Sequence, residues 1–340
     1  MPSPRDTPAR RLRLLAAWAL AGSLTLAACG GGDEPGGSDA QREKQGTADG
    51  ATFTVESPLT GLPLKGDPPK HPVLAVKIDN SASSRPQVGL GSADMVAEEL
   101  VEGGMTRLAV FFYSKVPDVV GPVRSMRATD IGIVQPLGAA LVASGGAPQT
   151  VSRVRDAGID TFTEGATGYY RDPSRYSPYN LMMRLRDLAR TVEGGDVPAE
   201  YLPFGDDGLP KGQPARTLTA SFSGGSSTSF EYRKSGYVNT DTNAGAADQF
   251  QPSTVLVLRV EVGDAGYLDP AGNPVPETKF TGQGEALVFH GGTVVRGQWS
   301  KDGLDAPVRL TSKAGELTLP PGKVWIELVP VNGGGVTFAK

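Results

Sequence analysis

The tightest constraint on what this chain can fold into lies in residues 73–127, VLAVKIDNSASSRPQVGLGSADMVAEELVEGGMTRLAVFFYSKVPDVVGPVRSMR. Residues 73–79 form a short apolar run rich in β-branched side chains that ends in Asp79 and Asn80. That is the pattern of a buried strand delivering polar groups at its C-terminal end. Residues 95–102 and 105–113 are two further runs, split by Gly103-Gly104. Paired glycines accept the positive φ of a tight turn, so the two runs are expected to pair as an antiparallel hairpin. Asp94, Glu98 and Glu102 would also align at i, i+4 and i+8 on a helix, and this second reading of the same stretch stays open.

Beyond Gly121 and Pro122, Ser125 is expected to cap a helix that runs to Pro136. Residues 139–143 read as another buried strand, closed by Ser144, Gly145 and Gly146. Residues 148–157 and 179–192 read as helices, the second with Leu181, Met182, Leu185, Leu188 and Ala189 on one side. Strands alternating with helices predict an α/β N-terminal domain with a mixed sheet over residues 52–200. After Gly194 the composition shifts. Residues 254–262, 286–289, 293–299 and 324–329 are short apolar runs between Gly, Asn, Asp and Pro clusters, which predicts a smaller, mainly β C-terminal domain over residues 216–340. Residues 201–215 are expected to link the two, and the interval 194–214 is loop-rich enough to permit movement.

The first 28 residues carry four arginines ahead of an apolar run, the order of an export signal. The run is too short to span a bilayer. It ends in Leu-Ala-Ala before Cys29, the only cysteine in the chain, and that arrangement looks like a lipobox. Acylation of Cys29 would anchor the protein through its chains at roughly 0.8 kcal/mol per buried methylene. Arg10 and Arg11 leave a twin-arginine export route open. Residues 29–51, Gly-rich and polar, are expected to be a flexible tether holding the folded part at the extracytoplasmic face of the cell membrane. Loss of four arginines and Asp6 with the signal moves the net charge from −4 to −7. An acidic chain argues against nucleic acid as a partner.

Four arginines stand at turn positions: Arg85, Arg107, Arg124 and Arg127. If they converge with Asp79, Asn80 and the Ser144, Gly145, Gly146 turn, they form an anion-binding cleft beside strand ends, where open α/β sheets bind ligands. The competing reading is architectural, with Arg107 and Arg124 paired internally to Asp94, Glu98, Glu99 or Glu102. Asp79, Glu98 and Glu102 are candidates for a two-carboxylate mechanism, although acids beside arginines are more often paired than catalytic. There is no G-x-S-x-G or S-x-x-K motif, and His71 and His290 stand beside a proline and at a hairpin turn. Residues 239–245 open like a calcium loop, but Ala244 and Phe250 occupy the places of its turn glycine and bidentate acid. No metal or cofactor is expected. Tyr169, Tyr170, Tyr176 and Tyr179, interleaved with Arg171 and Arg175, read equally well as a stacking surface for glycan or peptide and as a loop packed on its own domain.

SPLTGLPL, the segment IDNSASSRPQVGLGSADMVAEELVEGGMTR, GPVRSMR, SGG and YRDPSRYSPYNL resemble the bacterial YerB-type lipoproteins, a family defined by a domain of unknown function. GEALVFHGGTVVRGQW and PGKVWIELVP resemble that family's C-terminal domain. The resemblance implies a two-domain, lipid-anchored envelope protein and assigns no catalytic residue. The expected function is to bind an anionic envelope component (glycan, lipid-phosphate or peptide) or an envelope protein partner as a scaffold. The alternative is an enzyme acting on cell-wall glycan or a lipid-linked precursor. Cys29→Ser should abolish metabolic acyl labelling and move the protein from the membrane to the soluble fraction on cell fractionation.

Overall fold

The computed structural model describes residues 55–340, so the export signal, the tether and Cys29 lie outside the described residues. In chain order the first strands are β1 (Leu74–Asp79), β2 (Met95–Leu100), β3 (Thr106–Phe112), β4 (Ala140–Val142), β5 (Thr161–Phe162), β6 (Tyr169–Arg171) and β7 (Leu181–Met183). The short β8 (Gln213–Pro214) precedes β9 (Thr217–Ser221), β10 (Ser227–Arg233) and β11 (Gly236–Asn239). Then come β12 (Thr254–Leu268), β13 (Pro274–Lys279), β14 (Gly282–His290), β15 (Thr293–Lys301), β16 (Arg309–Ser312), β17 (Gly315–Glu316), β18 (Val324–Pro330) and β19 (Gly335–Ala339). The α-helices are α1 (Asp130–Val134), α2 (Pro148–Asp156) and α3 (Leu185–Ala189).

One mixed sheet runs β17, β16, β15, β14, β12, β18, β2, β3, β1, β4, β5, with β13 paired to β12 and β8 to β15. The β2–β3 hairpin forms as expected, with Met95 opposite Phe111 and Leu100 opposite Thr106. Gly103 and Gly104 take φ of 69° and 70°, the left-handed conformation for which the turn needs glycine. The strand between the halves is β18. It lies parallel to β12 on one side and parallel to β2 on the other, Val324 pairing with both Thr254 and Met95. The last long strand of the C-terminal half is therefore inserted beside the first hairpin of the N-terminal half.

Two cores result. On one face Ala75, Ala97, Phe111, Ile326 and Leu328 pack with Ile131 and Val134 of α1 and Val154 of α2. On the other face Val76, Val96, Val110, Trp325 and Val329 pack with Leu218, Phe230 and Tyr237. These last three belong to a separate antiparallel sheet ordered β11, β10, β9, β19. With both faces covered, every residue of β1, β3 and β18 is buried, which explains their near-continuous apolar sequences.

The α/β expectation for the N-terminal half is met only in part: the sheet is mixed, but the protein is strand-rich and its helices are short. The expected helix from Ser125 is reduced to α1, because Asp130 folds back to accept the Arg127 amide and the turn starts only there. Residues 179–192 are largely not helical. Leu181, Met182 and Met183 form β7, bonded to β6 and to the backbone of Val120 and Val123, and only α3 follows. Three consecutive buried side chains demand an element with two covered faces, which the apparent helical spacing concealed. Within residues 201–215, Tyr201 and Leu202 lie in the core and β8 pairs with β15.

Because one sheet crosses both halves, urea unfolding should be a single transition, coincident by tryptophan fluorescence and far-UV circular dichroism. Ile326→Ala, at the fully buried centre of β18, should lower the unfolding free energy by about 2–5 kcal/mol in the same experiment.

Candidate functional site

Strands β1, β4, β2, β18 and β12 all point the same way, while β3 between β1 and β2 runs opposite. Their C-terminal ends line one edge of the sheet, and the polar residues collect there. On the face that packs against α1, Asp79 of β1, Arg107 of β3 and Glu99 of β2 form one cross-strand row, acid, base, acid. One step inward Lys77 lies opposite Ala109, whose small side chain lets the lysine reach across. Lys77 Nζ lies 2.6 Å from Glu99 Oε1 and 2.6 Å from Asp130 Oδ1, all three side chains fully buried. Burial, reinforced by Asp130, raises the pKa of Glu99 against the pull of Lys77.

Nearer the edge, Arg127 grips Glu102 through two nitrogens, Nε at 2.8 Å from Oε2 and Nη2 on Oε1. Arg107 Nη2 lies 3.6 Å from the same Oε1 and its Nη1 donates to the Ser125 carbonyl at 3.0 Å. Burial and then the charges of Arg127 and Arg124 lower the Arg107 pKa to about 10. Burial works to raise the Glu102 carboxyl, and the hydrogen bonds and charges of Arg127 and Arg107 outweigh it, so its pKa falls. Arg124 Nε lies 3.0 Å from Asp79 Oδ2, and its guanidinium sits over the Tyr179 ring, 5.3 Å from the centroid. Four cations thus meet four carboxylates.

A cleft of about 470 Å³ opens beside this network, lined by Ser125, Arg127, residues 144–149, residues 267–270 and Val275. Its wall is the turn after β4, fixed by Ser144 N donating to Arg124 O and Met126 N to Gly145 O, each at 2.9 Å. Gly145 has φ 128°, and a Cβ on Gly146 would meet Met126 Cγ at 2.8 Å. The cleft ends at the N-terminus of α2, where Ala147 gives no side-chain cap and Pro148 has no amide to offer. The opposite wall is the tip of the β12–β13 ribbon. It is held to α2 by Tyr267 Oη and Thr150 Oγ1, 2.6 Å apart, and by Arg153 donating to both Glu277 oxygens at 3.0 and 2.7 Å.

Asp79, Arg107, Arg124, Arg127, Ser144, Gly145 and Gly146 are therefore brought to one edge and one face. Arg85 and Asn80 are not. Consecutive strand residues point to opposite faces, so Asn80 turns away from Asp79. Its Nδ2 donates to Glu98 Oε1 and Thr106 Oγ1, each at 2.9 Å, while Arg85 Nε donates to Asn243 Oδ1 at 2.7 Å. They line a second, polar pocket of about 400 Å³ with Thr228, Asn239 and Asp241. Of the expected internal partners, Glu102 takes Arg107, whereas Asp94 accepts the amides of Tyr113 and Ser114 and Glu98 accepts from neutral donors. Tyr169 donates to the carbonyls of Ala143 and Phe162, Tyr170 lies under Arg184, and Tyr176 is exposed, so the tyrosines form no common surface.

Lys77 and Glu327 were not among the expected site residues. The signal for both was a charge inside an otherwise apolar strand, LAVKID and VWIELVP. Among the described residues no group of three or more His, Cys, Asp or Glu is placed to hold a metal ion, and no helix is long and apolar enough to cross a membrane. Lys77→Met would leave Glu99 and Asp130 buried without their cation. It should cost about 3–5 kcal/mol in equilibrium urea unfolding.

Comparison with known proteins gives the family and a likeness of fold. Residues 59–197 match the N-terminal domain of a protein of unknown function (DUF3048), and residues 218–326 match its C-terminal domain. The YerB protein of Bacillus subtilis (strain 168), a lipoprotein by name, is 26% identical over 293 residues, 81% of this chain and 86% of that protein. A crystal structure of YerB from Bacillus subtilis superposes with a TM-score of 0.69 at 21% identity, covering 83% of this chain and 99% of the other, a likeness of fold. With both domains matched in order over most of its length, the chain belongs to this two-domain family of proteins of unknown function.

Proposed function

We propose that this protein is a membrane-anchored extracytoplasmic binding protein that takes an anionic group of an envelope component in the cleft between Arg127, the residue 144–149 turn and the β12–β13 ribbon. One observation carries the reading: Arg107 and Arg127 share a single carboxylate, Glu102, so positive charge is in excess on the Arg127 side of the cleft, across from Asp269 on the β12–β13 wall. The balancing negative excess, Glu99 and Asp130 against Lys77, lies deeper and fully buried. Ser125 and Ser144, with hydroxyls 3.3 Å apart, and the uncapped N-terminus of α2 supply further donors to an anion. The lipoprotein name of the relative and the Leu-Ala-Ala-Cys29 sequence support the anchor.

Binding is favoured over turnover by the acids at hand. Asp79 is paired to Arg124 and Glu102 to Arg127 and Arg107. Asp269 lines the cleft but is held by Asn273 and by its own loop's amides, which lower its pKa. A general acid needs a raised pKa. Glu98 and Glu99 have one, but Glu98 is buried on the opposite face of the sheet and Glu99 is fully buried against Lys77.

The test is thermal shift of the purified protein with wall glycan fragments and a short-chain polyprenyl phosphate. A ligand at about 100 times its Kd should stabilise by roughly 2.7 kcal/mol. The shift should be lost in Arg127→Gln and reduced in Ser144→Ala. A cooperative melt unmoved by every anion would defeat the anion-binding reading and leave that of a scaffold for a protein partner.

A further inference from the structure

The join between the two halves contains a pair of acids that the cleft does not use. Glu98 of β2 and Glu327 of β18 are direct partners in the parallel pairing, and both are fully buried on the face under the small sheet. Glu98 is well supplied with donors: Asn80 Nδ2 at 2.9 Å from Oε1, and Thr228 Oγ1 at 2.9 and 3.0 Å from its two oxygens. Glu327 is not. Neither of its oxygens has a partner in hydrogen-bonding geometry among the described residues, although the Trp325 indole N–H, also without a partner, works to hold its pKa down, and neither acid has a cation within salt-bridge distance. The groups around the pair are Thr106 at the start of β3, Thr228 of β10, Trp325 of β18, Asn80 after β1, and Asp241 after β11. Asp241 is the other titratable group there, and it carries the same sign. Arg85 is in the pocket above, bonded to Asn243.

Two adjacent carboxylates away from water cannot both stay ionised, because each loses hydration and each repels the other. A proton between them removes one charge and gives Glu327 the bond it lacks. We propose that Glu98 and Glu327 hold one shared proton across the β2–β18 seam, and that its loss weakens the join between the N-terminal and C-terminal halves. Burial first, and then Asp241, push Glu98 up to about 7 against the hydrogen bonds of Thr106, Thr228 and Glu327, while burial and then Glu98 push Glu327 well above its ordinary value. The folded state thus binds more protons than the unfolded chain above the ordinary value of 4.5. The stability this contributes is complete below that pH, declines as pH rises through about 7, and declines further as Glu327 ionises.

The same three side chains that hold Glu98, namely Asn80, Thr106 and Thr228, line the polar pocket of the second face. Ionisation of the pair therefore acts on a solvent-facing surface as well as on the seam. The inference is independent of the anion cleft, which lies on the other face.

The experiment compares thermal melts of the wild type and Glu327→Gln across about pH 5 to 9, with infrared spectroscopy of the wild type at neutral pH. Glutamine keeps a donor toward Glu98 but does not titrate. The wild type should lose stability with rising pH, by up to tenfold in the folding equilibrium per pH unit for each proton involved. Glu327→Gln should flatten that dependence, and the wild type should show a protonated carboxyl C=O band at neutral pH. Asp241→Asn, which removes a like charge, should move the wild-type window to lower pH without abolishing it. Equal pH slopes for the wild type and Glu327→Gln, or the absence of the protonated band in the wild type, would overturn the proposal. Failure of Glu327→Gln to fold leaves the infrared and Asp241→Asn readouts to decide.

Discussion

The pairing of β18 with β2 is the interaction on which the rest of the architecture depends. Without it the protein would be two sheets, each with a long unpaired apolar edge, and such edges invite aggregation. With it, the β12 side and the β3 side become one surface, covered by α1 and α2 on one face and by the small sheet on the other. The strand that makes the join, VWIELVP, is buried along its whole length. Main-chain hydrogen bonds on both its edges and side chains on both its faces are committed at once, so the two halves are coupled rather than merely adjacent.

Charge placement follows from this burial. A sheet covered on both faces has little room for ionised side chains except at its strand ends, and those ends coincide on one edge because β1, β2, β4, β12 and β18 share a direction. On the α1 face the problem is met by pairing, with Lys77 between Glu99 and Asp130 and two arginines on Glu102. Buried pairs of this kind add little net stability, because desolvation offsets their attraction, but removal of one partner is costly. On the opposite face Glu98 and Glu327 have no cation, and protonation is the remaining way to limit the charge. The two faces of one sheet thus meet the same constraint by different chemistry.

Much of the local structure was legible in the chain. The Gly103-Gly104 and Gly291-Gly292 turns, both at positive φ, delimit hairpins where the flanking β-branched runs indicated them. The helix from Pro148 is present as α2. Local reading failed where an element's partners lie far away: residues 181–183 are a strand because Val120, Val123 and β6 supply hydrogen bonds that nothing nearby in sequence announces. The grouping of Asp79 with Asn80 failed for a simpler reason. Strand alternation already places neighbours on opposite faces, and Arg85 went with Asn80.

The chain alone specified the apolar strands, their tight turns and the stock of charged residues in the first hairpin, because these depend on side-chain period and on glycine's access to positive φ. It also determined the Leu-Ala-Ala-Cys29 sequence, which lies beyond the described residues. Long-range packing brought β18 beside β2, Arg107 and Arg127 onto Glu102, and Glu98 against Glu327. The reason is that parallel pairing carries no local turn signal. Its register is set by which buried faces match, and here the matching strands are more than two hundred residues apart in the chain.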